Sequence, residues 1–236
     1  MKLSTIIFTT WIFLTLASCT DSRFSDQQIE IKALDIVEDL DSIKIKTFYE
    51  WGFGHRGKAD IFTKHSANAD SGFYSYSCFY LKDSGRIKLS VGRFENFKKD
   101  FPCDLFIDTS KYYKVDFIKI NDTTVHISAI NNQGHNEIIS EKIILNKLFI
   151  TNDPFKKFKS LHDFKDSLGI LGNFYRPDIG NFIQFYLSSQ HILTYLPDNL
   201  NLNPKYSNVW LEEFRTGKAI RKNWNLRKHE NILDNG

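Results

Sequence analysis

Phosphate cradling, metal ligation and acid–base work each need particular side chains at particular spacings, and this 236-residue sequence offers partial sets of each. Gly52-Phe53-Gly54-His55-Arg56-Gly57 fits G-x-G-x-x-G, a pattern whose glycines let a backbone approach a pyrophosphate. That fingerprint also needs a helix opening at the last glycines and an acidic residue about 20 positions on. Lys58 to Thr63 reads as a strand instead, so the run is expected to be a glycine-rich strand connection. The histidines are scattered: His55 and His65 flank a strand, His126 shares a polar strand face with Thr124 and Ser128, and His135 sits in a turn. No H-E-x-x-H or comparable spacing occurs, so neither a metal site nor another cofactor is expected. His162 and Asp166 lie one helical turn apart, the spacing of an ordinary surface pair. G-x-S-x-G is absent, and neither Cys78 nor Cys103 has a catalytic context. What remains for catalysis is carboxylates brought together by folding, drawn from Asp39, Asp41, Glu95, Asp100, Asp104 and Asp108.

Charge is concentrated near the end of the chain. Arg215, Lys218, Arg221, Lys222, Arg227 and Lys228 follow one another with no acidic residue among them, interleaved with Ile220, Trp224 and Leu226. Against an anionic bilayer each such charge contributes roughly 1 kcal/mol. The other reading is a solvated face with Trp224 packed inside.

The first nineteen residues carry an address. Lys2 precedes a short apolar run, Leu3 to Leu16, which is followed at once by Leu16-Ala17-Ser18-Cys19. Spanning a bilayer takes about 20 apolar residues, and this run is shorter and broken by Ser4, Thr5, Thr9, Thr10 and Thr15. It reads as a secretory signal ending in a cysteine. The tetrapeptide resembles the lipobox of bacterial lipoproteins, which implies cleavage before Cys19 and acylation of its thiol. Residues 1–18 are then a signal peptide, 19–25 a lipidated tether and 26–236 the folded domain, with a change of texture near 151 that leaves room for a subdivision. Each buried CH₂ of an acyl chain is worth about 0.8 kcal/mol, so two or three chains anchor a protein without a spanning helix.

A chain that is 42% hydrophobic and 25% charged has the composition of a packed globular domain. A formal charge of +3 is too small a surplus to argue for nucleic acid as a partner. With Cys19 committed to lipid, Cys78 and Cys103 remain. Outside the cytoplasm such a pair is expected to be oxidised, closing a loop worth roughly 3 kcal/mol in the chain-entropy model; the alternative is two buried thiols acting as small hydrophobes.

The elements that must position these groups follow from periodicity. Ile29, Ala33, Ile36, Val37 and Leu40 share one helical face behind a Ser25/Gln28 capping box, although Ile29, Ile31 and Ala33 also alternate as in a strand. Ile43 to Trp51, Ala59 to Thr63, Phe73 to Leu81 and Arg86 to Phe94 read as strands of an antiparallel meander. Tyr112 to Ile120 and Thr123 to Ile130 form a hairpin across Asn121-Asp122, whose residue types tolerate positive φ, and Glu137 to Leu145 follows. Asp153-Pro154 opens a helix whose Phe155, Phe158, Leu161, Phe164 and Leu168 recur every three or four residues until Gly169 stops it. Phe182 to Leu187 and His191 to Leu196 make a second hairpin, and Val209 to Phe214 a short helix. The expected class is α+β: a mainly antiparallel, curled meander with one packed helix over 153–168 and a short C-terminal helix.

Trp210-Leu211-Glu212-Glu213-Phe214, Gly217-Lys218 and Asn223-Trp224-Asn225-Leu226 resemble the closing segment of envelope lipoproteins of the Bacteroidota type. That resemblance covers about the last fifty residues and implies no activity. Thr20 after Cys19, where the inner-membrane retention rule of enteric bacteria has aspartate, makes the outer membrane the expected location. The expected partners are the membrane, through lipid at Cys19, and another envelope protein or a glycan. The expected role is non-catalytic binding or scaffolding, with an exported carboxylate hydrolase as the alternative.

Overall fold

The structure, a computed structural model, describes residues 25–65, 74–108 and 110–229. The signal, Cys19 and most of the tether lie outside the described residues.

Helix α1 (Asp26–Asp39) starts at a complete capping box: Gln28 N donates to Ser25 Oγ and Ser25 N to Gln28 Oε1, and Ile29, Ala33 and Ile36 are buried. The next segment corrects the sequence reading. Ser42–Glu50 is a helix, α2, and only Trp51 belongs to a strand. Asp41 caps it by accepting from Ile43 N and Lys44 N. Its buried residues are Ile45 and Phe48, three apart, while Ile43 is 78% exposed, so the burial period is helical despite the β-branched alternation.

The chain then runs as seven antiparallel strands in sequence order: β1 (Trp51–Arg56), β2 (Ala59–His65), β3 (Tyr74–Leu81), β4 (Arg86–Val91), β5 (Tyr112–Lys119), β6 (Thr124–Asn131) and β7 (Asn136–Ile144). The glycine motif forms β1 itself and the turn after it, where Gly57 takes φ 57°. The predicted strand to Phe94 stops at Val91, because Phe94–Asp100 is a helix, α3, burying Phe94 and Phe97. Asn121 and Asp122 do not take positive φ. Instead Asn121 Oδ1 accepts from Thr123 N and from the hydroxyls of Thr123 and Thr124, so a side chain closes the loop.

One face of this sheet is the core. Phe53, Phe62, Cys78, Leu89, Phe117 and Ile127 are successive cross-strand partners, none more than 2% exposed. Helix α4 (Leu145–Leu148) and helix α5 (Pro154–Leu168) pack on that face. Asp153 caps α5, Pro154 occupies its first turn and Gly169 ends it at φ 62°, as its sequence predicts. Phe158, fully buried, meets Trp51 and Tyr76 edge-on.

A second antiparallel sheet follows, in the order β11-β12-β10-β9-β8, from β8 (Gly172–Phe174), β9 (Ile183–Tyr186), β10 (His191–Tyr195), β11 (Lys218–Arg221) and β12 (Trp224–Lys228). Helix α6 (Ser207–Arg215) precedes β11 and packs Trp210, tilted, and Phe214, edge-on, against Phe182. Strands β8, β11 and β12 have no strong sequence signal; each has five residues or fewer. The sheets meet at β1 and β8. Asn173 accepts from Phe53 N at 2.6 Å and donates to Trp51 O, and a Cβ on Gly172 would lie 2.5 Å from Phe53 O. One hydrophobic cluster runs through both sheets, with Phe48 against Phe185 at 4.7 Å. Among the described residues no helix is long and apolar enough to cross a membrane.

Candidate functional site

The densest ionisable cluster surrounds Asp60, which sequence periodicity hides because it shares the inward alternation of Phe62 on β2. Asp60 is fully buried. Lys165 of α5, 3% exposed, donates to Asp60 Oδ1 at 2.9 Å; His55 Nδ1 is 3.1 Å from the same oxygen. His162 Nδ1 lies 3.1 Å and Lys82 Nζ 3.3 Å from Oδ2. Burial pushes the Asp60 carboxyl up, but the hydrogen-bonded Lys165 ammonium, with His55 and Lys82 beside it, brings it below the ordinary carboxylate range. His162 stacks on Tyr80 and reaches Asp166 Oδ2 at 3.3 Å, so the i,i+4 pair seen in the sequence is one side of a largely buried network. Asp60, His162 and Asp166 are close enough to approach one cation. Two ammonium groups already neutralise the buried carboxylate, however, and a divalent ion would have to displace them; the donor set fits a metal poorly.

A second constellation has the membership of a hydrolase triad. Ser188 Oγ is 2.9 Å from His191 Nδ1, and His191 Nε2 is 3.3 Å from Asp26 Oδ1 without a hydrogen bond. Ser188 Oγ also accepts from Gln190 N and His191 N, so the hydroxyl closes the β9–β10 turn. It is committed to the backbone and is not presented as a nucleophile.

Three of the six carboxylates gathered from the sequence serve local roles. Asp41 caps α2, Asp100 accepts from Tyr76 Oη at 2.8 Å and Asp108 from Ser110. Asp26, Asp108, Asp122, Glu137, Asp178 and Asp198 are held below the ordinary range by side-chain hydrogen bonds from Lys228, Ser110, Lys119, Tyr112, Arg176 and Lys222 respectively. Cys78 and Cys103 are not bonded to each other in this structure. Cys78 points from β3 into the core, where burial pushes its thiol well up, and burial pushes half-buried Cys103 up to about 11.

The six C-terminal basic residues each lie against an acid: Arg215 with Glu212, Lys218 with Glu30, Arg221 with Glu38, Lys222 with Asp198, Arg227 with Glu213 and Lys228 with Asp26. Folding recruits partners from α1 and the 198–213 region that the local sequence does not show. Trp224 is buried against Phe185 and Tyr195.

Uncompensated positive charge occurs on the outer face of the seven-stranded sheet. The ring and ion-pair contacts that α3 and α5 make with this sheet, through Phe97 to Phe117, Phe158 to Tyr76 and Lys165 to Asp60, all reach its core face. On the outer face the register sets side chains in transverse rows. One runs Arg56, Ala59, Leu81, Arg86; the next Gly54, Ile61, Phe79, Lys88, Ile118, His126; the third Gly52, Thr63, Ser77, Ser90, Asp116, Ser128. Asp116, 6% exposed, accepts from Ser90 Oγ at 2.6 Å and has Lys88 Nζ at 2.9 Å and Lys114 Nζ at 3.5 Å, one carboxylate shared by two lysines. Among the described residues the exposed guanidinium groups of Arg56 and Arg86 form no ion pair or hydrogen bond, and the hydroxyls of Ser77 and Ser128 have no partner. At the β1 end the rows open into a groove of about 480 Å³ between Gly52, Gly54, Arg56 and Ile61 on one side and Leu171 and Tyr186 on the other.

No protein-family model, curated protein or solved structure matches the chain. The fold and these surfaces therefore define only a class, an α+β protein whose larger sheet, among the described residues, is packed by helices on one face.

Proposed function

We propose that the protein is a lipid-anchored lipoprotein of the cell envelope, held at the outer membrane through Cys19, whose folded domain binds or scaffolds a partner and is not a catalyst. The anchor reading is carried by Leu16-Ala17-Ser18-Cys19 after a short apolar run. The binding reading is supported by the state of the ionisable groups. A carboxylic acid that donates a proton near neutral pH needs a raised pKa. Among the described residues the one fully buried carboxylate, Asp60, is instead neutralised by ammonium groups and shifted the other way. The broad half-buried outer face, with its adjoining groove, is the geometry of contact and not of enclosure.

Intact mass and fractionation of the native protein test the reading. The mature chain is expected to begin at an acylated Cys19 and to sediment with membranes, and Cys19→Ala to abolish both. A chain cleaved elsewhere and recovered in the soluble fraction would refute it.

A further inference from the structure

We infer that the outer face of the seven-stranded sheet binds an acidic glycan chain laid across the strands from the β1 groove toward β6. The inference rests on the binding reading above and gives it a ligand class and a surface.

Charge points to a polyanion. Arg56 and Arg86 stand in one transverse row on β1 and β4, both exposed and both without an anionic partner among the described residues. Strands lie about 4.8 Å apart, so the two Cα atoms are separated by roughly 14 Å. Lys88, in the adjacent row, and Lys114 share the single carboxylate of Asp116, which leaves further positive charge on this face. The six basic residues near the C-terminus, in contrast, are all matched to acids. A polyanion crossing the strands meets both arginines without disrupting an existing pair.

A row of hydroxyls points to a glycan. Thr63, Ser77, Ser90 and Ser128 occupy successive or near-successive strands in one line; Thr63 donates to Gly52 O and Ser90 to Asp116, while among the described residues Ser77 and Ser128 make no side-chain hydrogen bond and keep their donors for a ligand. Hydroxyls both donate and accept, matching a ligand that presents hydroxyls at regular intervals. Phe79, flanked in its row by Ile61 and Lys88, provides an apolar patch for the face of a sugar ring. Other polymers fit less well. A peptide strand would add to a sheet edge, not to its face. Single-stranded nucleic acid uses several adjacent stacking rings, and here Phe79 and His126 stand three strands apart in one row with no ring between them. Insertion into lipid needs protruding apolar groups, while Ile61, Phe79 and Ile118 are half-buried in the sheet.

Titration of the purified full chain in detergent with polygalacturonate, neutral dextran, and bicelles of phosphatidylglycerol or phosphatidylcholine tests the inference. Polygalacturonate should bind at least about tenfold more tightly than dextran and weaken with added salt. Arg56→Gln and Arg86→Gln should each weaken it roughly threefold to tenfold, while Lys218→Gln and Lys222→Gln leave it unchanged. Equal affinity for dextran, indifference to both arginine substitutions, or absence of binding would overturn the inference. Selective binding of phosphatidylglycerol without polygalacturonate would overturn it too and assign the face to lipid headgroups. The anchor is read separately from the mass of the mature chain, so failure here and failure of the anchor are distinguishable.

Discussion

Asp60 shows how a buried charge is held at a single residue. With no exposed surface of its own, its carboxylate depends on Lys165 at 2.9 Å, and Lys165 depends on it. Removing the Asp60 carboxylate takes from the buried Lys165 ammonium its hydrogen-bond partner, which costs about 3 to 5 kcal/mol, whereas losing Lys165 leaves Asp60 with Lys82 at 3.3 Å and the imidazoles of His55 and His162. Asp60→Asn should lower the urea midpoint strongly and Lys165→Met less, and the two combined should cost less than the sum of the separate losses. The pH dependence has a definite sign. Because the folded-state pKa of Asp60 is depressed, its contribution is complete above the unfolded value of about 3.9 and is lost as pH falls from there through the folded value. The acid limb of the stability curve below pH 4 should therefore be shallower for Asp60→Asn than for the parent chain. Identical limbs would show that the pair carries no linkage.

At the scale of elements, α5 and α2 show what sequence makes legible. Helix α5 has an aspartate cap, a first-turn proline, a three-to-four-residue apolar repeat and a terminal glycine, four signals that agree, and it forms over the predicted residues. Phe158→Ala should cost about 3 to 5 kcal/mol and Lys157→Ala almost nothing, because one ring is fully buried and the other side chain is exposed. Equal thermal stability of the two variants would contradict that division of faces. Helix α2 reads as a strand because Ile43, Ile45, Thr47 and Tyr49 alternate, and local preference gives way to the burial of Ile45 and Phe48 behind the Asp41 cap. The candidate surfaces were unevenly legible for the same reason. The polar strand face of Thr124, His126 and Ser128 follows from alternation alone. The Asp60 network does not, since Lys165 is 105 residues away in sequence. Nor does the neutralisation of the C-terminal basic run, whose partners include Glu30 and Glu38 on α1.

For the whole molecule, the helices that touch the seven-stranded sheet pack on one face and positive charge collects on the other, while the run of basic residues most conspicuous in the sequence is internally matched. On the proposal made above, the outer sheet face, and not the C-terminal segment, is the working surface of an anchored protein. Lysine footprinting tests this most directly: an acylating reagent is applied to intact envelopes and to the purified chain, and the modification of each lysine is compared by mass spectrometry. Lys88 and Lys114, 38% and 31% exposed, should be protected in the envelope relative to the purified protein, with Lys218 and Lys222, 64% and 80% exposed, labelled equally in both. Equal labelling of Lys88 and Lys114 in the two preparations, or protection confined to Lys218 and Lys222, would contradict it.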